Sequence, residues 1–503
     1  MLLAAPILLP LATAVICFLM RRNPLHRLVS QLSAGGLILV GVLILLTVKA
    51  AGPQAAQMGG WAAPYGITLA ADTLSAVMII ITGGALLAAM TFATVEIGLE
   101  TERLGFHALS HAMAGGVSGA FMTGDLFNLY VWFEVMLISS FGLLVIGGGR
   151  AQIDGAVKYV ALNLVGTMAF LGGVGLLYGT VGTLNMADLG IKLQGRMSET
   201  AVLGAAGMLM FAFAAKAALF PVFFWLPASY HTPAVATSAL FSALLTKVGV
   251  YSLLRVFTLV FTPGDPVIEG ALFAAAGLTI ALGALGAAAQ QDLRRVFSFH
   301  IISQIGVMTL GLAIATPLAL AGAIFYFLHH IPAMMNMFLL GGIIRRETGS
   351  ETLSGIGGLY RAGPWLAVVF LIPMLSLIGV PPLSGFWAKF FMVRAGVEDG
   401  QYILAGLILA ASVLTFFYLG RMFVAAFWQP HPGEATGGAV PLATYPPRAL
   451  VIPVLALGAV TLTISLYAGS FYALSAEAAS ALLDPLSYLR AVGPDRIATG
   501  GGG

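Results

Sequence analysis

KAALFPVFFWLPASYHTPAVATSALFSALLTKVGVYSLLR, residues 216–255, carries the pattern that decides the fold. Two apolar runs, each long enough to read as a helix, flank Pro221, and lysines stand inside them at Lys216 and Lys247. Proline removes a backbone donor and breaks the helical ladder. At membrane depth, unwound backbone is tolerated only where it is buried in protein or lines a cavity. A second stretch repeats the device. In IGVPPLSGFWAKF, residues 378–390, Pro381 and Pro382 interrupt an apolar run and Lys389 follows. Paired interrupted helices in two halves point to a transporter with inverted repeats; the alternative is two ordinary proline kinks.

The rest of the chain is the kind of polymer that lipid dissolves. Of 503 residues, 59% are hydrophobic and 9% charged, against about 25% charged in a soluble domain. The 62 glycines suit close helix packing. A net charge of +3 and the lack of a basic run exclude nucleic acid as a partner. One cysteine, Cys17, excludes a disulfide framework and a thiolate metal cluster. The first apolar stretch precedes Arg21, Arg22 and Arg27 instead of following a basic segment, which predicts a retained first helix with its N-terminus outside.

A spanning helix needs about 20 apolar residues. That length predicts an all-α polytopic protein with about fourteen spans, near 1–20, 28–50, 70–95, 108–124, 126–147, 155–179, 200–224, 233–262, 268–289, 296–315, 318–344, 364–393, 402–428 and 449–472. Of the 23 lysines and arginines, twelve fall in the loops this topology places inside and seven in those outside, as the positive-inside rule favours. Four lysines remain within predicted helices: Lys158, Lys216, Lys247 and Lys389. The polar stretch around Gln429–Pro447 reads as a loop, and the tail after Phe471 as a surface segment. The glycine clusters at Gly172–Gly175 and Gly355–Gly358 read as turns or helix contacts; with no preceding strand they are not nucleotide loops.

Charge at the bilayer centre costs about 2.5–3.5 kcal/mol on insertion scales, so buried ionisable groups are functional candidates. Glu134, in GDLFNLYVWFEVMLISSFGLL (124–144), falls nine residues after Asp125, about 13 Å along a helix. It reads as a proton-handling group, the alternative being a structural ion pair. Asp125 suits a helix cap as well as a function. Lys216 paired with Glu134 makes a switch: parting the two lets the lysine release its proton. Lys247 and Lys389 read as further members of the path, whereas Lys158, close to a helix start, suits snorkelling equally. His329 and His330 lie at mid-helix with Tyr326 one turn earlier, and His300 precedes them; adjacent imidazoles can relay protons. No carboxylate or cysteine is spaced to complete a metal site with them, and no metal or cofactor is expected.

TGDLFNLYVWFEVMLISS, KYVALNLVGTMAFLGGVGLLYGTVGTLNMADL, the stretch 216–255, QDLRRVFSFHIISQIG and VPPLSGFWAKF resemble the antiporter-like subunits shared by respiratory complex I and Mrp-type multisubunit sodium/proton antiporters, the D-type Mrp subunits above all. The resemblance runs from about Asp72 to Arg421. It implies two inverted five-helix repeats, 108–262 and 268–428, after an N-terminal region 1–107 and before a last helix and tail, 449–503. It implies a polar axis of Glu134, its partner Lys216, a central Lys247 and a terminal Lys389, with His329 and His330 between the last two. The basic residue that many relatives carry after the histidine pair is replaced here in HHIPAMMNMF, with Met334 and Met335. The expectation is a proton-translocating subunit of a sodium/proton antiporter in the cell inner membrane, with a homologous antiporter-like subunit and others as partners. Its rivals are a redox-driven subunit of a complex I-type or membrane-hydrogenase assembly and a non-transporting scaffold. No enzyme constellation is present in the sequence.

Overall fold

The computed structural model describes residues 1–261, 263–432 and 446–493. Its helices in chain order are α1 (Ala5–Leu19), α2 (Leu25–Ala51), α3 (Thr73–Glu96), α4 (Leu99–Arg103), α5 (Phe106–Met122), α6 (Leu126–Val145), α7 (Arg150–Val181), α8 (Met186–Lys192), α9 (Thr200–Ala217), α10 (Trp225–Ser229), α11 (Val235–Leu259), α12 (Pro266–Ala289), α13 (Leu293–Ile314), α14 (Pro317–Thr348), α15 (Leu359–Ala362), α16 (Pro364–Ile378), α17 (Ser384–Glu398), α18 (Tyr402–Phe423), α19 (Arg448–Leu466), α20 (Ala468–Leu483) and α21 (Leu486–Val492). Most of the loop expected at Gln429–Pro447, and the closing glycines, lie outside the described residues.

Twelve described helices are long and apolar enough to cross a membrane, which makes this a multi-pass membrane protein. Two of the fourteen expected spans fall short of that measure. α5 has 17 residues, and the run at 364–393 is divided into α16 and α17, of 15 residues each. Likewise the run expected over 200–224 ends as a helix at Ala217. Lipid offers no hydrogen bonds, so nearly all backbone closes on itself in helices. One element is absent from the sequence reading: Gln54–Gln57 (β1) and Thr68–Ala71 (β2) pair antiparallel, Gln54 opposite Ala71. Strands this short leave no readable periodicity.

Burial sorts the helices into two layers. Every residue of α11 is buried. In α13 and α14 the most apolar windows are 94% buried, whereas those of α2, α7 and α19 are 28–39% buried and leave apolar faces for lipid or other subunits. The middle layer therefore excludes both water and lipid, and its polar side chains must find partners inside the protein.

The tail departs from expectation. α20 packs on α14, with Ser475, Ala478, Ala479 and Leu482 buried. The Ser384 N–H donates to Ser465 Oγ at the end of α19, and α20 carries the chain on to Glu477, which meets Lys49 and Thr73. Its small buried residues (Ala468, Ser475, Ala478, Ala479) allow that close approach. One end of the bundle gathers the Arg27–Glu102 and Arg294–Glu351–Arg345 ion pairs. The other holds Lys49–Glu477 and Asp72–Arg255.

Candidate functional site

The two breaks seen in the sequence are real interruptions, and each is built around a lysine. Lys216 closes α9, after which Ala218 adopts φ 62°, ψ 47°, a left-handed conformation that costs a non-glycine residue about 1–2 kcal/mol. The freed carbonyls are recaptured: Trp225 Nε1 donates to Ala215 O at 2.9 Å, and Leu219 N to Ala214 O at 2.9 Å. Phe220 N donates to Thr279 Oγ1 of α12 at 2.8 Å. α11 lies directly against this break. A Cβ on Gly249 would stand 2.5 Å from Ala217 N and 2.9 Å from the Lys216 carbonyl carbon, so only glycine permits the approach. Lys247 is one half-turn away on the same helix.

At the second break, Lys389 folds its ammonium back onto the end of α16. It donates to the carbonyls of Leu377, at 2.9 Å, and Ile378, at 2.8 Å. A cation at a helix C-terminus meets both unpaired carbonyls and the negative end of the dipole. Gly385 permits the tightest contact here, since a Cβ on it would fall 1.8 Å from Ser376 O.

Buried polar groups lie between these lysines, and those from His300 to the second break contact one another. Lys247, with no exposure, donates to Ser242 O at 2.5 Å. The His300 and His330 rings stack at 5.8 Å, and His300 Nδ1 pairs with Tyr418 OH at 2.5 Å. Tyr326 meets His329 edge-on at 5.7 Å and donates to Gln304 Oε1. His329 Nδ1 reaches Ser384 Oγ at 3.0 Å and Ser376 Oγ at 3.3 Å, and these two hydroxyls are 2.9 Å apart. The adjacent histidines thus face different neighbours: His330 turns to His300, and His329 to the break that holds Lys389. Both His330 nitrogens, Nε2 of His300 and of His329, and Lys216 Nζ are buried without a hydrogen-bond partner among the described residues. Met334 and Met335, at the place where the resemblance implies a basic residue, are fully buried.

The remaining candidates divide. Glu134 and Lys216 are not in contact. The Glu134 carboxylate accepts from Thr167 Oγ1 at 2.7 Å, and the Lys216 ammonium lies 5.6 Å from the Phe133 ring centroid. Asp125 is a cap: its Oδ1 accepts from Asn128 N at 2.8 Å. Lys158 is exposed and paired with Asp154 one turn back at 2.6 Å. Sequence reasoning missed Ser376, Ser384, Thr167 and Tyr418. The first two flank Pro381–Pro382 in LSLIGVPPLSGF, a signal available beforehand; Tyr418 gave none.

A family profile described as NADH:quinone oxidoreductase/Mrp antiporter, transmembrane, matches residues 123–415. The D subunit of the Na(+)/H(+) antiporter of Alkalihalophilus pseudofirmus is 40% identical over 97% of this chain and 98% of its own. That of Bacillus subtilis is 38% identical over 97% and 98%. Among solved structures, a chain of the Mrp complex from Dietzia superposes with a TM-score of 0.88 at 29% identity, covering 97% of this chain and 98% of its own. A chain of respiratory complex I from Thermus thermophilus superposes at 0.78 and 26%, covering 96% and 100%. With the profile spanning more than half the chain and the relatives nearly all of it, this protein belongs to the NADH:quinone oxidoreductase/Mrp antiporter family of membrane subunits.

Proposed function

We propose that this chain is the D-type, proton-conducting subunit of a multisubunit sodium/proton antiporter. The observation that carries the reading is the buried run from His300–His330 through Tyr326 and His329 to Ser384, Ser376 and the break that holds Lys389. The buried ammoniums of Lys247 and Lys216, with Glu134, supply the other half of the path in this reading. The partnerless nitrogens along it are atoms that water would bridge, and water-bridged imidazoles and ammoniums pass protons. Protons load Lys216 and Lys247 from one face and leave past the histidines and Lys389. The gap between Glu134 and Lys216 is the open position of the switch. Glu134 is only partly covered, on a helix that turns Phe127, Val131, Ile138 and Phe141 outward, so a neighbouring subunit can complete its surroundings. We read residues 108–262 and 268–428 as inverted repeats on the strength of their matching breaks. The N-terminus lies outside the inner membrane in this reading, and the arginine-rich end inside.

A redox-driven partner is the second reading. A chain of the membrane-bound sulfane sulfur reductase, an archaeal respiratory membrane complex, superposes as well as the Mrp chain does, with a TM-score of 0.89 at 26% identity. Inverted vesicles lacking host antiporters, carrying the whole operon with wild-type or Glu134→Ala protein, decide between them. Sodium-dependent collapse of ΔpH in wild type, lost in an assembled Glu134→Ala complex, supports the antiporter. No sodium-linked exchange, with iron–sulfur proteins co-purifying, turns the reading to the redox partner. Equal exchange in both removes Glu134 from the mechanism.

A further inference from the structure

A second cluster of buried titratable groups shares no residue with the polar axis. His26 lies in the first turn of α2, Glu102 on the short α4, and His107 at the start of α5. They are 4%, 2% and 2% exposed. Glu102 faces both imidazoles: Oε1 stands 3.4 Å from His107 Nε2, and Oε2 stands 3.8 Å from His26 Nε2. His26 Nδ1 is 2.6 Å from the Asn23 carbonyl oxygen. A carbonyl only accepts, so this nitrogen carries the hydrogen. In the neutral ring Nε2 is then an acceptor, and it is buried without a hydrogen-bond partner among the described residues. An imidazole lone pair and a carboxylate turned toward one another in a desolvated pocket favour a cation between them.

We propose that His26, Glu102 and His107 bind a divalent transition-metal ion, zinc being the best match to the donors. Imidazole nitrogen selects such ions over magnesium or calcium. With zinc–nitrogen and zinc–oxygen bonds of about 2.0–2.2 Å, neighbouring ligands of a tetrahedron lie about 3.3–3.6 Å apart. The 3.4 Å separation already meets that edge; the 3.8 Å one runs to the other carboxylate oxygen, so a single ion takes both oxygens or needs the carboxylate to turn, with the widest donor pair closing by up to about 1.2 Å. All three donor atoms lie within 4.8 Å of one another. Two nitrogens and one carboxylate leave the fourth position to water. Metal-binding histidines normally have the other ring nitrogen hydrogen-bonded. Asn23 O does this for His26, and Ser30 Oγ, 3.1 Å from Nδ1, for His107. Arg27 holds both Glu102 oxygens, at 2.8–3.1 Å. A carboxylate has about four lone-pair sites, so two remain for the ion. The arginine charge opposes a cation and makes the site weaker than a closed four-ligand one. An ion here ties α4 to α2 and α5.

The same geometry suits a proton on His26, and the test separates the two. The assembled complex is purified, stripped with chelator and dialysed against zinc alone; zinc is counted by plasma mass spectrometry and melting is followed. Wild type should carry one zinc more than His26→Ala or His107→Ala. It should melt lower after chelation and recover with zinc but not with magnesium. Ser30→Ala, which removes the hydrogen-bond partner of His107 Nδ1 together with that of His111 Nε2 but touches no proposed ligand atom, should weaken zinc binding about 10- to 100-fold. Should either alanine variant fail to assemble, chelation of wild type and the Ser30→Ala affinity carry the decision. Equal zinc in wild type and His26→Ala, or zinc affinity unchanged in Ser30→Ala, overturns the proposal and leaves a proton-held cluster.

Discussion

Replacing Asp72 by Asn removes one charge from a deeply buried arginine–carboxylate pair and little else. Asp72 caps α3: its Oδ1 accepts from Ser75 N at 2.9 Å, a role that asparagine fills equally well. Its other oxygen meets Arg255 Nη2, with the two side chains 4% and 5% exposed. Asp72→Asn therefore strands a guanidinium inside the protein, at a cost of about 3–5 kcal/mol. That is about two to three and a half powers of ten in the folding equilibrium. Arg255→Gln should cost less. The carboxylate left behind keeps Ser75 N and the positive end of α3, and what is lost is the ion pair together with the Tyr251 and Tyr488 rings, 5.5 and 5.2 Å from the guanidinium. The double variant, neutral at both positions, should cost at least about 1.5 kcal/mol less than the two singles summed. Reversible unfolding of the purified protein in mixed micelles gives the cycle, and melting of the assembled complex gives a second reading. Asp72→Asn within about 0.5 kcal/mol of wild type, or simple additivity, refutes the argument.

Gly385→Ala places a methyl 1.8 Å from Ser376 O and 2.8 Å from His329 Cε1, so the break around Lys389 must move. We expect antiport in vesicles to be lost while part of the complex still assembles, with a stability cost of about 1–3 kcal/mol or more; full antiport would show that this geometry is dispensable. A pH dependence is expected at His231, in the loop before α11, where burial and then the neighbouring Arg295 hold the imidazole below its ordinary value of 6.5. The unfolded chain then takes up a proton that the folded one refuses, so this contribution to stability is full above about pH 6.5 and falls as the pH drops below it. Melting should decline between about pH 7.5 and about pH 5.5, and His231→Gln should flatten that slope; an unchanged slope counts against it.

Much of the candidate site was legible because charge is so costly in lipid that few residues compete for attention. Lys216, Lys247, Lys389 and the histidine pair stood out from apolar surroundings, and prolines announced both breaks. Orientation was not legible. Whether His329 or His330 faces Lys389 depends on a rotation of about 100° per residue about the α14 axis, set by packing against α13 and α17. The Glu134–Lys216 contact was expected from pairing logic, but the carboxylate accepts from Thr167 instead, a partner on α7 that pairing of charges does not reveal.

Composition and apolar run length by themselves determined that this chain lives in a membrane as a helical bundle, since the solvent preference of each segment is a local property. The breaks were local as well, because proline acts on its own backbone. Only the tertiary structure decided which helices are central, that α20 packs against α14 instead of lying on the surface, and that His26 meets Glu102 and His107 across 76 and 81 residues of chain. Such meetings arise from packing between helices distant in sequence, and neither periodicity nor spacing carries that information.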